Sequence, residues 1–201
     1  MIQVVDLAAK FSAGMLRTTD GEILDQFDSL GKTPFEFAAI IARNARRADC
    51  ELTLVEDVPY SKMLTQAMTK PVTRFQGVIM AYCHPVLENV KWVNPSSWMG
   101  LFPGVQTAPR GMTKSQADKH RIEQAYLHAR LRGYEPPDLV AEYVAGLPAG
   151  TRVLKKNTEH LTKTMTDYVS SFLISEWALQ VWRELGRPGF DSLQGVQPSM
   201  I

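Results

Sequence analysis

The order of elements at the start of the chain restricts the fold more than any other feature of the sequence. Three short strand patterns cover residues 2–6, 13–18 and 22–27, and Asp20-Gly21 supplies a tight hairpin turn between the last two. Thr33-Pro34-Phe35-Glu36 then provides an N-cap, a first-turn proline and a capping-box glutamate. The pattern predicts a three-stranded antiparallel meander followed at once by a helix.

Later segments alternate between strand and helix patterns. Strands are predicted at 51–56 and 90–93, and helices at 71–83, 112–132 and 158–185. Ile122, Tyr126 and Leu127 form the predicted apolar side of the 112–132 helix, and residues 134–147 are interpreted as irregular. Strands that alternate with helices pair in parallel, so we expect an α/β fold with a mixed sheet flanked by helices.

The composition predicts one domain. A chain of 201 residues with 45% hydrophobic content can bury one substantial core, predicted over residues 1–186, with a flexible tail at 187–201. No apolar stretch is long enough to span a membrane, and two cysteines are too few for a disulfide framework. We therefore expect a soluble protein in a reducing, cytoplasmic compartment.

Three carboxylates lie where apolar elements end or turn inward. Asp6 and Glu56 each close an apolar strand run, and Asp167 lies on the predicted final helix, on or near the side that meets the sheet. Acids brought together in this way repel one another unless a cation lies between them, and oxygen ligands suit Mg²⁺ or Mn²⁺. The pattern predicts a metal site.

Basic residues are clustered although the formal net charge is only +1. One cluster runs from Arg110 to Arg132, a second from Arg152 to Lys163, and a third comprises Arg43, Arg46 and Arg47. Acids at a metal centre with basic segments elsewhere would suit a polyanion held beside a cation, although ordinary solvated helix faces would give the same clusters.

Several local motifs resemble one known family. They are Val4-Val5-Asp6-Leu7, Val55-Glu56-Asp57-Val58-Pro59, Arg74-Phe75-Gln76-Gly77-Val78, Val93-Asn94-Pro95-Ser96-Ser97-Trp98, Ala117-Asp118-Lys119 and Thr166-Asp167-Tyr168-Val169. Together they resemble the RuvC-like Holliday junction resolvases of bacteriophage type, within the RNase H-like superfamily.

The resemblance implies a Mg²⁺- or Mn²⁺-dependent endonuclease that resolves four-way and other branched DNA as a homodimer, in the bacterial host cytoplasm if the chain is phage-encoded. Asp6, Glu56 and Asp167 would hold the metals, and Lys119 would contact a phosphate. The implied DNA-binding residues are Lys114, Lys119, Arg121, Lys155 and Lys156.

One position departs from the family pattern. The family places two acids three residues apart in the final helix, whereas this chain has Asp167 and Ser170. A shifted register would use Glu159 or Glu176 instead. Because a hydroxyl is a poor metal ligand, a branched-DNA-binding protein with weakened catalysis is the alternative function. A sugar-kinase or actin-like fold is disfavoured, because the chain lacks the length and the glycine turns.

Overall fold

The computed structural model describes residues 1–8, 11–57 and 66–191, without the side chains of 66–72, 85 and 87. Its centre is a five-stranded sheet with the order β3-β2-β1-β4-β5. The strands are β1 (Ile2–Asp6), β2 (Ala13–Arg17), β3 (Ile23–Asp28), β4 (Leu52–Glu56) and β5 (Val90–Val93). β1, β2 and β3 pair antiparallel, whereas β4 pairs in parallel with both β1 and β5.

Six α-helices accompany the sheet in the described residues. They are α1 (Pro34–Ala45), α2 (Gln66–Cys83), α3 (Pro95–Met99), α4 (Lys114–Arg130), α5 (Leu139–Ala145) and α6 (Lys155–Leu185). The predicted mixed sheet flanked by helices is confirmed, with the antiparallel meander followed by parallel strands that the resemblance to the RNase H-like superfamily implies.

The two faces of the sheet bury different helices because side chains alternate along each strand. Val4 and Leu54 belong to a core with residues of α4 and α6. Val5 and Val55 belong to a second core with residues of α1 and α2. The sheet is therefore covered on both faces, and any side chain two residues beyond Val4 or Leu54 points toward α6.

The predicted signals at the first turn and first helix are confirmed. Gly21 has φ +107°, a backbone conformation that favours glycine, and its N–H donates to the Thr18 carbonyl at 3.1 Å. Thr33 caps α1 by accepting from the Glu36 N–H, while the Glu36 carboxylate accepts from the Thr33 N–H. Local chemistry thus fixes the hairpin and the helix that follows it.

The prediction of an irregular segment at 134–147 is wrong for residues 139–145, which form α5. The Asp138 carboxylate accepts from the Ala141 N–H at 2.9 Å and caps this helix, and Gly146 ends it. Pro136 and Pro137 are typical of a turn, but Asp138 directly after them starts a helix.

The predicted apolar side of α4 is also largely wrong. Ile122 and Leu127 are exposed, while the buried residues of this helix are Ala125 and Ala129. Both alanines belong to the core that α6 enters. The small side chains let α4 lie close to α6, and the larger Ile122 and Leu127 lie outside this contact.

The core extends beyond the predicted boundary at residue 186. Arg187–Phe190 form a 3₁₀ turn, and Phe190 is fully buried against Trp177 and Trp182. Residues 192–201, the remainder of the predicted flexible tail, lie outside the described residues. In the part of the chain that is described, no helix is long and apolar enough to cross a membrane.

Candidate active site

Strand register brings Asp6 and Glu56 together. Val5 pairs with Val55 in the parallel β1–β4 ladder, so Asp6 and Glu56 follow as the next neighbours at the carboxyl ends of the two strands. Each acid lies two residues beyond a side chain that faces α6, namely Val4 or Leu54. Their carboxyl groups are in hydrogen-bond contact, on the side of the sheet that α6 covers.

Helix α6 adds Asp167 and Ser170 to the same place. The Ser170 hydroxyl donates to the Asp6 carboxylate, and Asp167 is close enough to interact electrostatically with both strand acids. These two helix positions are three residues apart, about one turn along the same side of the helix. The residue at the position where the family pattern has an acid therefore contacts Asp6.

Ser171 fixes α6 against the strand end. Its hydroxyl donates to the Ala13 carbonyl at 2.9 Å and accepts a longer bond, 3.4 Å, from the Asp6 N–H. Asp6 and Ala13 are partners in the β1–β2 ladder, so a single buried side chain connects α6 to both strands. Ser171 is not among the predicted site residues, although a serine among apolar helix positions is a sequence signal for such a role.

Burial raises the pKa of all three carboxyl groups, and the charge of Asp6 adds to the shift of Glu56 and Asp167. Burial is the main cause of the raised pKa of Asp6, while hydrogen bonds from Glu56 and Ser170 oppose the shift. Burial, followed by the charge of Asp6, raises the pKa of Glu56 well above its ordinary value and that of Asp167 to about 9. Without a cation, the site therefore holds protons that its acids would lose in water.

The donor set fits a hard divalent cation. Asp6 and Glu56 bring their oxygens into contact, Asp167 lies within electrostatic range, and carboxylate oxygens are the donors that Mg²⁺ and Mn²⁺ prefer. No three His, Cys, Asp or Glu side chains among the described residues already surround one point as metal ligands. Asp6 and Glu56 would hold the ion, with Asp167 on the facing helix and Ser170 as a neutral neighbour.

Trp98 also contacts this site, a role that the sequence analysis missed. Its indole N–H donates to Glu56 Oε1 at 2.9 Å, and the side chain is 1% exposed. Tyr126 of α4 approaches from another direction, since its hydroxyl bonds the Thr166 side chain beside Asp167. Neither aromatic has a sequence spacing that would link it to the acids.

The two acids considered for a shifted register have other partners. Glu176 Oε1 accepts from Arg17 Nη1 at 2.6 Å, and its Oε2 lies 3.7 Å from Arg132 Nε. Glu159 Oε1 lies 2.9 Å from Lys163 Nζ, one turn along α6. Both carboxylates are thus engaged in ion pairs, whereas Ser170 contacts Asp6.

Among the described residues, Lys119 forms an ion pair with Glu123 and none with Asp6, Glu56 or Asp167. Lys119 lies on α4 with its side chain 78% exposed, and its Nζ is 3.7 Å from Glu123 Oε1. Arg121 pairs with Asp118 on the same exposed surface, at 3.2 Å. The other predicted DNA-binding residues, Lys114, Lys155 and Lys156, are exposed in the first turns of α4 and α6.

Comparison with family models finds no match, and no curated protein matches the chain. Among solved structures, Thermus thermophilus RuvC is similar at 13% identity and a TM-score of 0.42, with 89% of this chain and 96% of that chain covered. T. thermophilus RuvC in complex with a Holliday junction substrate is similar at 11% identity and a TM-score of 0.40, with 66% and 97% covered.

Proposed function

We propose that this protein is a metal-dependent endonuclease that acts on four-way and other branched DNA. The observation that carries the proposal is the convergence of Asp6, Glu56 and Asp167, from two strands and a helix, at one end of an RNase H-like sheet. The motifs around these acids resemble those of the bacteriophage RuvC-like resolvases. Site and sequence pattern therefore support the same reaction, hydrolysis of a phosphodiester.

In the proposed reaction, the site residues would bind a divalent cation and release protons as it binds. A divalent cation held by Asp6 and Glu56 would supply Lewis acidity toward a phosphate oxygen and an ionised water at neutral pH. Burial and the charge of Asp6 raise the pKa of Glu56 and of Asp167, and a bound cation would favour their ionised forms, so loss of protons would accompany ion binding. Ser170 donates to Asp6 without adding charge, so a second ion would be held weakly.

Exposed cations lie on the two helices next to the site. Lys155 and Lys156 open α6, about 17 Å along the helix axis from Asp167. Lys114, Lys119 and Arg121 are on α4, which packs against α6 through its alanines. We assign these five residues to the DNA backbone, because exposed lysines and arginines beside a phosphodiesterase site suit a polyanion.

Paired incision of a four-way junction would be served by a homodimer, since a two-fold axis can place two sites on the junction. The apolar side chains of α2 leave little exposed surface for that dimer. Phe75 and Ile79 are buried in the chain's own core, and Val78 packs against it, whereas Tyr82 is exposed. The dimer therefore rests on the proposed reaction alone, and light scattering of the free protein and of its junction complex tests it.

Ser170 favours a second candidate function, junction binding with little cleavage. The hydroxyl contacts Asp6 where the family pattern places a carboxylate. A binding protein of the same fold would keep the basic surfaces and lose the second ion.

One gel experiment separates these functions. Four-way junction, flap and linear duplex substrates are incubated with Mg²⁺, Mn²⁺ or EDTA, alongside Asp6→Asn. Metal-dependent nicking of the branched substrates that Asp6→Asn abolishes supports the nuclease. Junction-selective binding without nicking supports the second candidate, and equal binding to junction and duplex contradicts both.

A further inference from the structure

Of the three acids at this site, Glu56 depends most on a neighbouring group to fix the orientation of its carboxylate. Its side chain is longer than those of Asp6 and Asp167, and its carboxyl group faces the like charge of Asp6. An ionised Glu56 is repelled by an ionised Asp6, so a hydrogen-bond donor is needed to hold its carboxylate in place. The donor that the structure provides is the Trp98 indole N–H, 2.9 Å from Oε1.

The segment after β5 places the Trp98 indole beside Glu56. The Asp57 N–H donates to the Val93 carbonyl at 2.8 Å, which ties the exits of β4 and β5 together. Asn94 then caps α3 by accepting from the Ser96 N–H at 2.9 Å, with Pro95 in the first turn. This short helix turns Trp98 back toward the end of β4.

Packing removes the freedom of the indole. Trp98 is 1% exposed, belongs to the core between the sheet and α6, and meets the Phe102 ring edge-on at a centroid distance of 6.2 Å. A ring held in this way offers its N–H in one direction only. Because the indole is fixed by its packing, its hydrogen bond to Oε1 restricts the orientation of the Glu56 carboxylate.

We infer that Trp98 is the positioning residue for Glu56, orienting its carboxylate toward Asp6 so that the two acids bind a divalent cation. The inference rests on the metal site of the proposed function and adds to it a hydrogen-bond partner for Glu56. Removal of hydrogen bonds that orient metal ligands weakens metal affinity by about 10- to 100-fold.

The first test is Mn²⁺ binding, measured from the electron paramagnetic resonance signal of the free ion. Trp98→Phe keeps an aromatic ring and loses the N–H donor, and we expect it to weaken Mn²⁺ binding by about tenfold. Trp177→Phe is the matched control, because it removes an indole from the same core next to Phe190. This control should bind Mn²⁺ like the parent protein.

The second test needs no variant at position 98. The chain has four tryptophans, so a ¹⁵N-labelled sample gives four indole N–H signals, and Trp98 is assigned by elimination with Trp92→Phe, Trp177→Phe and Trp182→Phe. During a Mg²⁺ titration the Trp98 signal should shift in step with ion binding, while the Trp177 signal stays in place.

The outcomes separate this inference from the proposed function. If the parent protein binds neither ion, the metal site and the proposed function fail together. Ion binding by the parent with unchanged affinity in Trp98→Phe, or a stationary Trp98 signal during the titration, overturns the positioning role alone. Weaker binding by Trp98→Phe with a stationary signal assigns the loss to packing and overturns it as well.

Discussion

At the scale of single residues, we expect Ser170 to limit ion binding at the proposed metal site. Its hydroxyl already contacts Asp6, so a carboxylate at this position would add one charge beside the proposed ions. We expect Ser170→Asp to raise the Mg²⁺-dependent cleavage rate by at least tenfold, because one more oxygen anion strengthens ion binding in a two-metal site. Single-turnover cleavage of a four-way junction measures this.

Gln180→Asp is the control for that experiment. It adds the same charge to an exposed position of α6, about 15 Å further along the helix. The control should not raise the rate, and Asp6→Asn should abolish it in either background. If Ser170→Asp is no faster than an efficient parent protein, another ligand completes the site.

The raised pKa values predict how stability depends on pH. Asp167 has a pKa of about 9 in the folded protein against an ordinary value of 3.8, so the folded state holds more protons between these two values. Without metal, stability should therefore fall as pH rises from about 5 to about 8. Urea unfolding in EDTA measures the fall, and Asp167→Asn should reduce it.

Added Mg²⁺ provides the independent check on that pH dependence. An ion that binds the ionised carboxylates should restore stability at about pH 8 more than at about pH 5. Stability that rises with pH over this range in EDTA would show that the acids ionise without penalty.

At the scale of elements, Arg17 joins the β2–β3 hairpin to α6. Its side chain is buried, donates to the Gly21 carbonyl, to Ser175 Oγ at 2.8 Å and to Glu176 Oε1 at 2.6 Å, and lies over the Phe172 ring. Arg17→Met should lower the free energy of unfolding by about 3–5 kcal/mol, since it leaves a partly buried carboxylate without its main partner. Urea denaturation measures the loss.

Two variants test whether the ion pair causes that loss. Arg43→Met, on an exposed site of α1, should change the unfolding free energy by no more than about 0.5 kcal/mol. Combining Arg17→Met with Glu176→Met should recover part of the loss, because the partly buried carboxylate that Arg17→Met leaves without its main partner is then absent. A loss below about 1 kcal/mol for Arg17→Met would place this pair with ordinary surface ion pairs.

What the sequence could predict at this scale follows from local signals. The Asp20-Gly21 turn and the capping box at Thr33 are each determined by residues within a few positions of one another. The positions of Asp6 and Glu56 at two strand ends follow from the apolar strand patterns before them. The bond from Trp98 to Glu56 joins residues 42 positions apart through a helix that only the exit of β5 orients. Such a contact depends on tertiary packing, which no local pattern contains.

At the scale of the whole molecule, the proposed DNA surface lies on one side of the sheet. The helices α4 and α6 enter the core that contains Val4, whereas α1 packs on the opposite face against Val5. A further basic group, Arg43 and Arg47, belongs to or follows α1. The fold thus separates two sets of cations that net charge and sequence clustering treat alike.

This separation gives a matched pair of double variants. Lys155→Ala with Lys156→Ala should reduce the slope of log affinity against log salt for a four-way junction by about 0.9 for each phosphate that the protein no longer neutralises. Arg43→Ala with Arg47→Ala removes the same charge from the α1 side and should leave that slope unchanged. Fluorescence anisotropy over a salt series measures both. Equal effects of the two double variants would mean that binding follows net charge, and that α6 does not direct the DNA toward Asp167.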